Sequence, residues 1–126
     1  VVIVDGAHNP AGVEALRSSL DLYFPAEQRV LLLGILKDKD IEAMLDILLR
    51  PNDTVVVTVP DSERAAEPQE LAKQVAPHVQ HVEAIADNGE ALNRALELAN
   101  QEKLLVMAGS LYLVGGVRQL LLKRKG

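Results

Sequence analysis

An α/β fold, with a parallel sheet covered by helices on both faces, is predicted by three observations. Short continuous apolar runs, rich in Val, Leu and Ile, alternate along the chain with stretches of helical periodicity. Each apolar run passes into a polar or Gly-containing turn, then into a helix-capping residue. Continuous rather than alternating apolarity is the mark of strands buried on both sides, and strand–helix alternation is the mark of parallel connections.

"VVIV" (1–4) is the first such run. Asn9 is placed to cap the helix that follows, with Pro10 at its first position and Val13, Leu16 and Leu20 on its inner side, and Pro25 closes the unit. "RVLLLGIL" (29–36) is the second strand, and Asp40 can cap a helix whose inner face holds Ile41, Met44, Leu45 and Leu48. "PND" (51–53) is a turn, and "TVVVTV" (54–59), rich in β-branched residues, is the third strand. The proline-bounded "PDSERAAEP" (60–68) reads as a surface loop before a helix over about 69–76. "VQHVEAI" (79–85) is a more polar strand, suited to a sheet edge. Asp87 or Asn88 caps a helix carrying Leu92, Ala95, Leu96 and Ala99, and "KLLVMAG" (103–109) is the fifth strand. "SLYLVGGVRQLLLKRK" (110–125) is the last helix, with Ser110 as its cap and Lys123, Arg124 and Lys125 where the helix dipole favours cations. The whole is a three-layer, Rossmann-like arrangement with a parallel or mostly parallel sheet.

Composition limits what such a domain does. The 126 residues suffice for one domain, and a 48% hydrophobic content suits a packed core that must be aliphatic, since Tyr23, Phe24 and Tyr112 are its only aromatics. The absence of cysteine removes disulfides, thiolate metal sites and thiol nucleophiles. A net charge of −5, with no basic run that suggests a nucleic-acid-binding face, argues against nucleic acid, and no apolar run reaches the roughly 18 residues of a membrane span. The chain opens in mid-strand without methionine, which reads as a fragment of a longer protein.

In a parallel sheet every strand-to-helix turn emerges on one edge, where ligands bind. The polar residues that matter are therefore Asp5 to Asn9, Lys37 to Asp40, Thr58 to Arg64, and Ser110. In "DGAHNP", Gly6 allows close approach of a ligand, and the helix starting near Pro10 offers free N–H groups to an anion. Asp5 can accept from a ribose hydroxyl, and His8 can donate to a phosphate or take a proton from an amine. A capped turn with a solvated histidine accounts for the same residues. Lys37 can meet a phosphate or carboxylate, whereas Asp38 and Lys39 read as solvated turn residues. Ser110, with the first-turn N–H groups behind it, can hold a carboxylate. It is no nucleophile elbow, because Ala108 and Tyr112 stand where that motif needs glycine. His78 and His81, three apart, lack further ligands nearby in the chain, so no residue is assigned to a metal. No Walker-type or dinucleotide-binding glycine loop occurs.

"DGAHNPAG", "LLLGILKDKD", "ERAAEP" and "AGSLYLVGGVRQLL", in this order, resemble the C-terminal domain of the folylpolyglutamate synthase / dihydrofolate synthase family, within the Mur-ligase-like amide ligases. The resemblance spans nearly the whole chain, so residues 1–126 are read as one Mur-ligase C-terminal-like domain of a two-domain enzyme. It implies a cytoplasmic, monomeric ATP-dependent ligase that adds L-glutamate to folates or dihydropteroate through an acyl phosphate. It further implies an N-terminal domain carrying the P-loop, the Mg²⁺ ligands and most of the folate site, without which the fragment is inactive. Asp5 is then the ATP contact. His8 is the catalytic candidate and, with Asn9 and Ser110, the glutamate contact. The family's strand order sets the first and last strands of this chain side by side. An antiparallel strand and an arginine-bearing segment found upstream in the family are lacking here. The rivals are a cell-wall Mur ligase domain, disfavoured by the wording of "DGAHNP" and "GSLYLVG", and a non-catalytic flavodoxin- or receiver-like module. A receiver needs a lysine after the fifth strand, where Ser110 stands.

Overall fold

The computed structural model describes residues 2–4, 9–25, 28–35, 40–59, 67–100 and 103–108. Within them lie five strands, β1 (Val2–Val4), β2 (Arg29–Leu33), β3 (Thr54–Val57), β4 (His81–Ala84) and β5 (Leu104–Ala108). Four α-helices connect them: α1 (Pro10–Tyr23), α2 (Ile41–Leu48), α3 (Pro68–Val75) and α4 (Asn88–Ala99), with a 3-10 turn at Ala76–His78. The strands form one sheet in the order β1-β5-β2-β3-β4, and every pairing is parallel.

The strands end earlier than the apolar runs do. β2 stops at Leu33 although Gly34 and Ile35 remain buried, and β3 stops at Val57 although Thr58 is buried. Burial continues past the assigned strand ends, so hydrophobicity overstates strand length. Three of the helix starts are capped as the sequence predicts. Asn9 Oδ1 accepts from the Gly12 N–H at 2.8 Å, Asp40 Oδ1 from Ala43 at 3.3 Å, and Asp87 Oδ2 from Glu90 at 2.8 Å. Of the two candidates before α4, Asp87 is thus the cap. α3 begins at Pro68, with Glu67 as cap. The helix expected over residues 110–125 lies outside the described residues.

Pleating divides the sheet between two cores. Leu31, Leu33, Val55, Val57, Leu104 and Val106 face α1, α2 and α3, meeting Val13, Leu16, Leu20, Met44, Leu45, Leu48, Leu71 and Val75. Val30, Leu32, Val56, Leu105 and Met107 face the other way, onto Ala91, Leu92, Ala95 and Ala99 of α4. The alanines on α4 let the helix seat close to the strands. Leu96, expected inward, is only partly buried beside them. The helix distribution follows from handedness. The chain moves one way across the sheet from β1 to β4 and back to β5, and right-handed crossovers of opposite travel fall on opposite faces. Each fully buried Leu or Val contributes about 1.5–3 kcal/mol, and the three central strands are buried throughout. β4, half-exposed, is an edge strand as its polarity predicts.

Candidate functional site

The strand order settles which strand ends are neighbours. Among the described strands β1 pairs with β5 alone, with Val4 opposite Met107, so the carboxyl ends of β1 and β5 lie side by side at one edge of the sheet. The exits of the other strands are tied into the same edge. The Gly34 N–H donates to the Ala108 carbonyl at 3.4 Å, Thr58 N–H to Leu33 at 2.8 Å, and Ile85 N–H to Val57 at 2.9 Å. Thr58 is fully buried, and its hydroxyl lies 2.9 Å from Asn88 Oδ1 and 3.2 Å from the Ala86 carbonyl. It thereby fixes the start of α4 against the end of β3, a role that "Thr58 to Arg64" as a polar stretch does not reveal.

α1 rises from this edge with Asn9 exposed at its cap. Its first turn contains no acidic residue, whereas those of α2, α3 and α4 contain Glu42, Glu70 and Glu90. The positive end of the α1 dipole is therefore not offset by its own sequence, and an anion there is stabilised. Of the sequence-predicted site residues, Asn9 is described, and its amide oxygen is engaged as cap. Asp5, His8, Lys37 and Ser110 lie outside the described residues.

The opposite edge carries different chemistry. A cavity of about 460 Å³ is lined by Pro25, Gln28, Arg29, Arg50, Pro51, Asn52 and Asp53. In its wall Arg29 Nε donates to Asp53 Oδ1 at 2.9 Å, Nη2 donates to Asp53 Oδ2, and Nη2 also reaches the Leu48 carbonyl at 2.8 Å. The Arg50 N–H donates to Asp53 Oδ2 at 2.8 Å, closing the turn before β3. Apart from Arg29 Nη1, which has no partner among the described residues, these groups pair with one another at the entry end of the strands, away from the strand exits where ligands bind in such sheets.

The two histidines separate. His81 lies on β4 with Nε2 2.7 Å from Glu83 Oε2, and Arg94 Nε donates to the same carboxylate at 2.9 Å. The hydrogen bond from Arg94, then that from His81, holds the Glu83 carboxyl below its ordinary range. His78 instead faces α2, where Glu42 and Asp46 lie beside it. Along the chain His81 is the near neighbour of His78, but folding sets two carboxylates from over thirty residues away beside it.

No α-helix among the described residues is long and apolar enough to cross a membrane. The family model for "Mur ligase, glutamate ligase domain" matches residues 1–111. A folylpolyglutamate synthase of Lacticaseibacillus casei is 35% identical over 99% of this chain, which spans 28% of that enzyme. The folylpolyglutamate synthase of Mycobacterium tuberculosis, solved with ADP and AMPPCP, superposes with a TM-score of 0.81 at 31% identity, covering 94% of this chain and 29% of that one. The UDP-N-acetylmuramoyl-L-alanyl-D-glutamate–L-lysine ligase of Streptococcus pyogenes is 31% identical over 86% of this chain, which spans 23% of it. The parallel five-stranded sheet, the placement of its first and last strands and these matches agree, and the chain belongs to the Mur ligase glutamate ligase domain family.

Proposed function

We propose that this chain is the C-terminal domain of a cytoplasmic, monomeric ATP-dependent ligase that adds L-glutamate to folates or dihydropteroate, working against an N-terminal domain of the same protein. The observation that carries the reading is the likeness to a folylpolyglutamate synthase over 99% of the chain. The edge formed by β1 and β5, beside an α1 terminus free of acidic residues, supports it.

In the proposed reaction a substrate carboxylate oxygen attacks the γ-phosphorus of ATP, giving an acyl phosphate and ADP. The amine of glutamate then attacks the acyl carbon, the C–N bond forms, inorganic phosphate leaves with the C–O electron pair, and the amine loses a proton. Asp5 accepts a hydrogen bond from the ribose. His8 receives the amine proton. Asn9 and Ser110, with the first-turn N–H groups of α1, hold the glutamate carboxylate. Lys37 contacts a phosphate or carboxylate. Mg²⁺, which offsets charge on the transferring phosphoryl group, is assigned to ligands in the N-terminal domain.

The test is glutamate-dependent ADP release by the full-length protein with a folate or dihydropteroate acceptor. His8→Ala is expected to lower kcat far more than it lowers stability. Asn9→Asp keeps an equally good helix cap but sets a negative charge beside the glutamate carboxylate, so KM for glutamate rises at unchanged melting temperature. Turnover with a muramoyl peptide in place of folate would assign the domain to the cell-wall branch. Unchanged kinetics in both variants would remove this edge from the site.

A further inference from the structure

Away from the proposed ligase edge, three metal-ligating side chains converge on the outer helical face. Glu42 and Asp46 stand one turn apart on α2, and His78 ends the 3-10 turn after α3. His78 Nε2 is 3.6 Å from Asp46 Oδ1 and 3.9 Å from Glu42 Oε2, and all three ligand atoms lie within 4.8 Å of one another. The imidazole is mostly buried at 21% exposure, while the carboxylates are 61% and 67% exposed.

The spacing distinguishes this group from an ordinary ion pair. The other histidine among the described residues, His81, closes to 2.7 Å on Glu83. His78 touches neither neighbour at hydrogen-bond distance, and sits nearly equidistant from both. Two ligands bound to one ion at about 2.1 Å lie about 3.0–3.4 Å apart, for octahedral to tetrahedral angles. Rotamer shifts of the two exposed carboxylates bring the observed gaps to that range.

We propose that Glu42, Asp46 and His78 form a binding site for a divalent transition-metal ion of the Zn²⁺ class. One imidazole nitrogen and two carboxylate oxygens are a donor set for Zn²⁺, Co²⁺ or Ni²⁺ rather than for Mg²⁺, which keeps oxygen ligands and most of its water. The ion joins α2 to the turn that follows α3, and water completes its coordination. Because the site lies outside the proposed ligase edge, its fate does not depend on that reading.

The test is metal binding by the whole protein after chelator treatment, with Co²⁺ followed by its visible absorption and Zn²⁺ by calorimetry, in excess Mg²⁺. Wild type is expected to bind one ion that Mg²⁺ does not displace, and to melt at higher temperature with Zn²⁺. His78→Ala is expected to weaken binding about tenfold or more, and Glu42→Gln and Asp46→Asn to weaken it severalfold. His81→Ala is the folded control and retains full affinity. Equal affinity in wild type and His78→Ala, or loss in His81→Ala alone, would overturn the assignment.

Discussion

Asp53→Asn tests whether the Arg29–Asp53 pair is as dry as its geometry implies. The two side chains are 1% and 3% exposed, so solvent screening does little for them. Arg29 donates through Nε and Nη2 to both Asp53 oxygens, while its Nη1 has no partner among the described residues. Replacing the carboxylate by an amide leaves a buried guanidinium without counter-charge and turns two amide hydrogens toward its donors. Removing one member of a buried pair costs about 3–5 kcal/mol. The introduced amide keeps one oxygen for the Arg50 N–H, which places Asp53→Asn near the lower figure. Asp53→Ala also strands that N–H and costs about 1 kcal/mol more. For a chain of 126 residues, a loss of about 3–5 kcal/mol lowers Tm by roughly 11–19 °C. Urea unfolding followed by circular dichroism reads the change as a lower midpoint at constant slope. The double variant Arg29→Met with Asp53→Asn removes both charges, fills the volume, and is expected within about 1 kcal/mol of wild type. A double variant no more stable than Asp53→Asn alone would place the cost in the turn and refute the buried-charge account.

Thr58→Val keeps the shape but removes the hydroxyl that serves Asn88 and Ala86, and is expected to cost about 1–3 kcal/mol. Faster amide exchange at the start of α4 would report it, and Thr58→Ser should restore protection. Glu83 carries a lowered carboxyl pKa, so its stabilisation is full above the unfolded value of 4.5 and fades as pH falls through the lower folded value. Melting curves from about pH 7 to about pH 3 should show the gap between wild type and Glu83→Gln closing only in acid. A gap independent of pH would mean that the Arg94 and His81 contacts do not hold the carboxylate.

Most of the fold was legible because its signals are local. Continuous apolar runs, capping residues at their ends and a polar fourth strand need no knowledge of the partner. Strand order is different. An alternating strand–helix pattern suits many orders, and adjacency of β1 and β5 followed only from resemblance until the register between Val4 and Met107 was in view. The Arg29–Asp53 pair hid for a related reason. Arg29 reads as a strand's first residue and Asp53 as a turn residue, and nothing along the 24 positions between them couples the two. His78 was weighed against His81, its neighbour in sequence, whereas its neighbours in space sit on α2. At the candidate site, composition and turn chemistry pointed to the strand-exit edge, while the roles of Asp5, His8, Lys37 and Ser110 rest on motif likeness.

The insertion of β5 between β1 and β2 sets a clock on assembly. Among the described strands β1 precedes the rest in the chain, yet its partner there, β5, follows roughly a hundred residues later. At translation rates of about 5–20 residues per second, β1 waits for β5 on the order of 5–20 s. The middle of the sheet, β2 to β4, closes from neighbouring segments in the meantime, and the long-range pairing comes last. The ends of β1 and β5 are therefore brought side by side only once that long-range pairing forms. A chain that stalls before Leu104 holds β2, β3 and β4 paired but leaves β1 without its neighbour β5.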